Sequence, residues 1–139
     1  MSLIDRGRDH ALALFRIVVG LLFACHGAQK LFGFLTTKPP VSITTWPSGP
    51  SGVIEIVAGV LIMVGLGTRI AAFIASGSMA YAYFSVHQPK ALMPIENSGE
   101  LAAMYSWVFL LLVFTGPGAW ALDKVLASRR QASPELQNA

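Results

Sequence analysis

The run ALALFRIVVGLLFACHGAQKLFGF, residues 11–34, carries only Arg16 and Lys30 as charges. A helix needs about 20 predominantly apolar residues to cross the hydrocarbon layer of a bilayer, and this run supplies them. A signal peptide is the competing reading. The residues before the run mix both charge signs (Asp5, Arg6, Arg8, Asp9) and no A-x-A-like site closes it, so a retained first span is expected.

Three further apolar runs follow. The expected fold is an all-α membrane protein, a four-helix transmembrane bundle with spans at 11–34, 52–67, 70–87 and 100–116. These form one domain over 1–124, and 125–139 is read as a polar cytoplasmic tail whose end is disordered. Residues 36–52 are rich in Pro, Thr, Ser and Gly around Trp46, a loop longer than helix–helix connections usually need and therefore expected to have a role. Gly65 and Gly67 bracket a tight turn at left-handed positions. The third run is dense in small residues (Ala71, Ala72, Ala75, Ser76, Gly77), which lets helices approach closely in lipid. The small-residue face and the long loop are also the surfaces a protein partner could use.

Composition agrees. The chain of 139 residues is 54% hydrophobic and 12% charged, with a mean hydropathy of +0.60. Soluble domains carry about 25% charged residues, so half that amount leaves much of the surface facing something other than water. The net charge of +3 comes from Lys and Arg scattered through loops and tails. No basic stripe forms, which argues against nucleic acid. Six cationic residues (Arg6, Arg8, Arg69, Lys124, Arg129, Arg130) fall on one side of the spans and three (Lys30, Lys38, Lys90) on the other. That bias places both termini in the cytoplasm and the two long loops outside. Trp46, Tyr105 and Trp120 are read as interface anchors, and His10 as a solvent-facing residue of the inner surface.

With this topology the unusual polar groups collect in one layer at the outer side. His26, Gln29 and Lys30 end the first span, Glu55 opens the second, His87 ends the third, and Glu96, Asn97 and Glu100 introduce the fourth. His26 and Lys30, four apart, share a helix face, which makes a pair with Glu55 natural. Glu55 and Glu100 in first turns also suit the positive helix N-terminus. Ionisable residues inside membrane spans point to function by default, although charges at helix ends can serve only to pair and to anchor the rim. Arg16 either snorkels to the inner headgroups or points inward as a fixed cation, within roughly 40° of Lys30 at 100° per residue, for one long head-and-tail ligand. Arg16, His26, Gln29, Lys30, Glu55, His87 and Glu100 are the candidate ligand-binding residues.

Phe23-x-x-His26 is echoed by Phe84-x-x-His87, each followed by a run with Glu near its start, which suggests two related helical hairpins. Two His and two carboxylates can ligate a metal in a bundle, but Glu-x-x-His spacing is absent. Two His can also bracket a haem. No metal is expected and haem is disfavoured. The lone Cys25 offers neither a disulfide nor a CxxC pair, and its role stays open. Hydrolase triads, P-loops and dinucleotide fingerprints are missing.

The segments LFRIVVGLLF at 14–23, HGAQKLFG at 26–33, EIVAG at 55–59, GLGTRIAA at 65–72, GELA at 99–102 and TGPGAWALD at 115–123 together resemble the DoxX family of small bacterial membrane proteins. The resemblance covers almost the whole chain in order. It implies a four-helix membrane bundle akin to the membrane subunit of a thiosulfate–quinone oxidoreductase, and a place in redox stress responses beside a dismutase and a sulfurtransferase. The family's polar positions fall on Arg16, His26, Gln29, Lys30, Glu55, Arg69 and Glu100.

Two functions remain in view. One is a membrane subunit of a redox or respiratory complex with a quinone at the outer polar cluster, where His26, Gln29 and Lys30 donate and Glu55 or His87 exchanges the proton. The other is a non-enzymatic structural or assembly subunit. A transporter needs more than four unbroken helices, unless the chain forms a homo-oligomer. Without a cofactor motif, the isolated chain is not expected to be an enzyme by itself.

Overall fold

A computed structural model describes residues 3–137 of the chain. Arg6, in the charge count above, and the tail end at 138–139 lie outside what is described at side-chain or backbone level. The described chain is all helical: α1 (Leu3–Phe32), α2 (Ser48–Val64), α3 (Thr68–Ala82), a π-helical turn (Tyr83–His87), α4 (Glu100–Thr115) and α5 (Leu122–Gln137). No strand occurs among the described residues.

Of the boundaries that differ from the sequence expectation, two have a clear local reason. α1 stops at Phe32 because Gly33 turns left-handed, at φ 67°, and its N–H reaches back to the Gln29 carbonyl at 3.2 Å. α2 begins at Ser48, four residues earlier than expected, because Pro50 lies in the first turn, where the missing N–H has no helical partner to lose. Glu55 is therefore two turns inside α2, beyond the reach of the helix terminus. The tail, expected to end in disorder, is helical to Gln137. The tight turn after α2 matches expectation, with Gly65 at φ 77° and Gly67 at φ 56°.

α1 and α2 form an antiparallel hairpin along a glycine seam. A methyl group at Gly20 would lie 2.7 Å from the Gly59 carbonyl oxygen, and one at Gly27 would lie 2.5 Å from that of Gly52. Each helix thus offers two glycines seven residues apart, and backbone meets backbone at both levels. α3 meets α4 differently. The Ser76 hydroxyl donates to the Ser106 carbonyl at 2.8 Å, and the Ser106 hydroxyl returns a bond to the Ser76 carbonyl at 3.1 Å. Of the small residues of α3, Ala71, Ala72, Ala75 and Ser76 are buried in this packing, while Gly77 stays exposed.

The four longest apolar helices share one core, centred on Phe23, Ile62, Met79, Phe109 and Leu112. Large apolar side chains also cover the outside, Phe73, Met104 and Phe114 among them, each more than 60% exposed. By length and composition, Gly7–Phe32 can cross a membrane, whereas Ser48–Val64 and Glu100–Thr115 are apolar but shorter.

The end of the molecule that holds the turn at Gly65 is closed by main-chain bonds. Arg16 is fully buried there. Its Nε donates to the Pro117 carbonyl at 2.9 Å, and its terminal nitrogens reach the carbonyls of Ile62, Met63, Ala119 and Trp120 at 2.6–3.4 Å. Of the two readings of Arg16, the inward one holds and snorkelling does not, because carbonyls at the end of α2 and in the segment 117–120 satisfy the cation inside. Nearby, Asp123 caps α3 by accepting from the N–H groups of Gly67 and Thr68 at 3.0 and 3.4 Å. Arg69 donates to the last carbonyls of α4, Val113 and Phe114. His10 is exposed and packs its ring on Trp120, centroids 5.0 Å apart.

Candidate functional site

At the opposite end, His26, Lys30, Glu55 and His87 come together around a cavity of about 200 Å³. Four of the seven candidate residues therefore meet there. α1 presents His26 and Lys30 one turn apart, His26 beside Tyr105 of α4 and Lys30 toward α2. α2 brings Glu55 to meet them, three residues beyond the Gly27–Gly52 contact of the seam. The Lys30 ammonium lies 2.5 Å from Glu55 Oε1. Ser51, one turn before Glu55, donates to the same oxygen at 2.8 Å, and Lys30 also reaches the Ser51 hydroxyl at 3.3 Å. Glu55 is 2% exposed, and its second oxygen, Oε2, has no hydrogen-bond partner.

His87 arrives on the π-helical turn that continues α3, a distortion that single turns of this kind often contribute at functional sites. Its Nδ1 bonds the Asn97 carbonyl at 3.1 Å. Asn97 is itself buried and organises the connection to α4. Its amide donates to the Ala91 carbonyl at 2.9 Å, while its side-chain oxygen accepts from the Gly99 N–H at 2.8 Å. Ser98, in the same connection, lines the cavity.

Three of the sequence candidates lie elsewhere. Arg16 belongs to the closed end and shares no ligand space with Lys30; it lies midway along α1, about four turns before Lys30. Gln29 is exposed, beside Cys25 and Phe34 in a small hollow on the other side of His26, and does not line the cavity. Glu100 does open α4 in its first turn, but it is exposed and faces Met104 and Trp107. The echo between Phe23-x-x-His26 and Phe84-x-x-His87 also breaks. Both histidines line the cavity, yet Phe23 is buried at 1% exposure and Phe84 is 66% exposed.

Tyr105, read from the sequence as an interface anchor, is instead a buried wall of the cavity. Its ring stands edge-on to His26, 5.9 Å between centroids, and stacks on Phe109 at 5.6 Å. The signal was present: Ala102, Tyr105, Phe109 and Leu112 recur at three- and four-residue spacing and are all buried. Ser51 and Ser98 carried no comparable signal.

A second, apolar groove of about 490 Å³ runs between α2 and α3, lined by Trp46, Ile54, Phe73, Ile74, Tyr81 and Val86. It shares Lys30, Ala82 and His87 with the polar cavity. The long loop supplies Trp46, whose ring meets Tyr81 at 5.7 Å. Its backbone is tied to α1 through the Val41 N–H and the Lys30 carbonyl at 2.8 Å. Polar chamber and apolar groove thus adjoin at Lys30 and His87, and together they suit a molecule with a small polar ring and a hydrocarbon tail. Among the described residues, no three His, Cys, Asp or Glu side chains converge in the manner of a metal site.

Comparison with known proteins identifies the family. The DoxX family model matches residues 11–88. An uncharacterized protein of Haemophilus influenzae is 44% identical, covering 88% of this chain and 96% of its own. The inner membrane protein YqjF of Escherichia coli is 29% identical over 85% of this chain and 93% of its own. A Bacillus subtilis protein provisionally named an oxidoreductase, CatD, is 26% identical over 79% of this chain and 82% of its own. No solved structure matches.

Proposed function

Because the chain belongs to the DoxX family of membrane proteins, we propose that it is a small integral subunit of a redox or respiratory assembly that holds a quinone-like ligand between its helices. The observation that carries this is the junction of the two spaces at Lys30, Ala82 and His87. A cavity of about 150 Å³ accommodates benzene, so about 200 Å³ takes one substituted ring. The groove of about 490 Å³ falls within the usual range of ligand pockets and takes an isoprenoid-like tail. Lys30 has donors bound to Glu55 and Ser51 and one N–H to spare for the ring. His26 stands beside it as the proton-exchanging group. The provisional name of the Bacillus relative supports a redox setting.

The bilayer frame belongs to the same proposal. α1 is long and apolar enough to cross a membrane. At 1.5 Å per residue, α2, α3 with its π turn, and α4 run roughly 24–30 Å, close to the hydrocarbon thickness of about 30 Å. Outward-facing Val18, Leu21, Val57, Phe73, Met104 and Phe114 form a surface suited to lipid rather than water. Four crossings bring both termini to one side, and the Lys and Arg bias supports reading that side as the cytoplasm and the polar cavity as facing outward.

The test is extraction of the native protein in mild detergent, followed by mass spectrometry of its lipophilic contents and its protein companions. An isoprenoid quinone should co-purify with the wild type and be lost from His26→Ala, whose thermal unfolding should be nearly unchanged. A ligand-free preparation with a stoichiometric protein partner would instead assign the chain a structural role.

A further inference from the structure

Two side chains that line the polar cavity, Glu55 and His87, each keep one acceptor atom without a hydrogen-bond partner. Glu55 is 2% exposed, and it spends Oε1 on Lys30 and Ser51 while Oε2 has no partner. Paired with an ammonium, this side chain is a carboxylate, and both oxygens can only accept. A buried acceptor without a donor is costly and calls for a water, an ion or a ligand group. His87 supplies the second acceptor. Its Nδ1 contacts the carbonyl oxygen of Asn97, and a carbonyl cannot donate, so Nδ1 carries the proton. In the neutral imidazole Nε2 is then the acceptor. Both side chains line the same cavity, with the rings of Phe23 and Tyr105 as its apolar walls.

From this pairing we infer that the site selects the reduced, hydroxyl-bearing form of the ring over the oxidised form. One hydroxyl of a hydroquinone head donates to Glu55 Oε2 and the other to His87 Nε2. A quinone offers only carbonyl acceptors, so it sets acceptor against acceptor at both positions and displaces any water that served them. The spare N–H of Lys30 can serve either form and does not discriminate. The inference rests on the quinone-like reading above and assigns the chain the side of the couple it holds most tightly. It also makes Asn97 a positioning residue, because its carbonyl sets the tautomer of His87.

The experiment is calorimetric titration of the full-length protein in lipid nanodiscs, without oxygen, using three probes: a short-tailed hydroquinone, the matching quinone, and the hydroquinone dimethyl ether. A bond to a charged acceptor corresponds to roughly tenfold or more in affinity. The hydroquinone should therefore bind at least about tenfold more tightly than either other probe. In Glu55→Gln, whose amide can donate to a carbonyl, the preference should shrink toward parity. Quinone or ether binding as tightly as hydroquinone in the wild type would overturn the inference while leaving the quinone-like reading in place. Binding of none of the three would remove that reading and the inference together. The ether comparison uses only the wild type, so it decides the matter even if the variant does not fold.

Discussion

Arg16 sends every N–H of its guanidinium to a main-chain carbonyl: five donors to five residues, two in α2 and three in the segment 117–120. Replacing it with Leu strands those carbonyls in a dry interior, and replacing it with Lys puts a point charge where a planar fork is needed. Both variants should lower unfolding stability by about 3 kcal/mol or more, read as a fall in the thermal midpoint in detergent. Ligand affinity of the protein that remains folded should be unchanged, since the cavity lies at the other end; a selective loss of binding would contradict that separation. Asn97→Ala makes the complementary prediction. Losing its bonds to Ala91 and Gly99 should speed amide exchange across residues 88–99 by about tenfold, on a cost of about 1–3 kcal/mol, with α1 and α2 unaffected. Arg16 drew attention in the sequence because a cation interrupts an apolar run. Its destination was hidden because backbone carbonyls occur at every residue and leave no signature.

The helical elements are held by two unlike seams. Between α1 and α2, glycines face glycines; between α3 and α4, two serines exchange bonds. Gly20→Ala and Gly59→Ala each drive a methyl group to about 2.7 Å from backbone of the facing helix, and such overpacking costs typically 1–3 kcal/mol. Gly77→Ala is the internal control. Nothing lies within 4 Å of that position, so the gain in helix propensity should raise stability by about 0.4–1 kcal/mol. Thermal unfolding of the three variants should rank accordingly, and equal midpoints would remove the seam from the account. The elements themselves were legible, since apolar runs and glycine turns mark them. α2 was read four residues short because Pro47 and Pro50 look like loop residues until one asks which N–H groups a first turn can spare. Half of the candidate site was legible too. His26, Lys30, Glu55 and His87 converge because a hairpin returns their ends to one layer, whereas Gln29 and Glu100 share that layer but face outward. Layer follows from chain position; facing depends on helix rotation, which packing decides.

The molecule as a whole is closed at one end and hollow at the other. Arg16, Asp123 and the Gly65 turn bind the closed end through backbone bonds, and the open end carries the polar chamber with its apolar annex. The proposed orientation can be checked in whole cells on a Cys25→Ser background. Lys38→Cys should react with an impermeant maleimide from outside, and Ser128→Cys only after the membrane is breached; the reverse pattern would invert the topology. The glycine seam carries a further consequence for this asymmetry, because it works as a ruler. Gly27 stands one residue after His26 and three before Lys30, while Gly52 stands three before Glu55. Inserting a single residue in α1 between Gly20 and Gly27 would turn everything beyond it by about 100° and advance it by about 1.5 Å. The upper glycine contact and the Lys30–Glu55 pair would then fall out of step together. The loop at 33–47 is held at points instead, by the Val41 N–H on the Lys30 carbonyl and by Trp46 on Tyr81. Chain length is therefore fixed by helical phase inside the first hairpin and by a few anchor points in its connection.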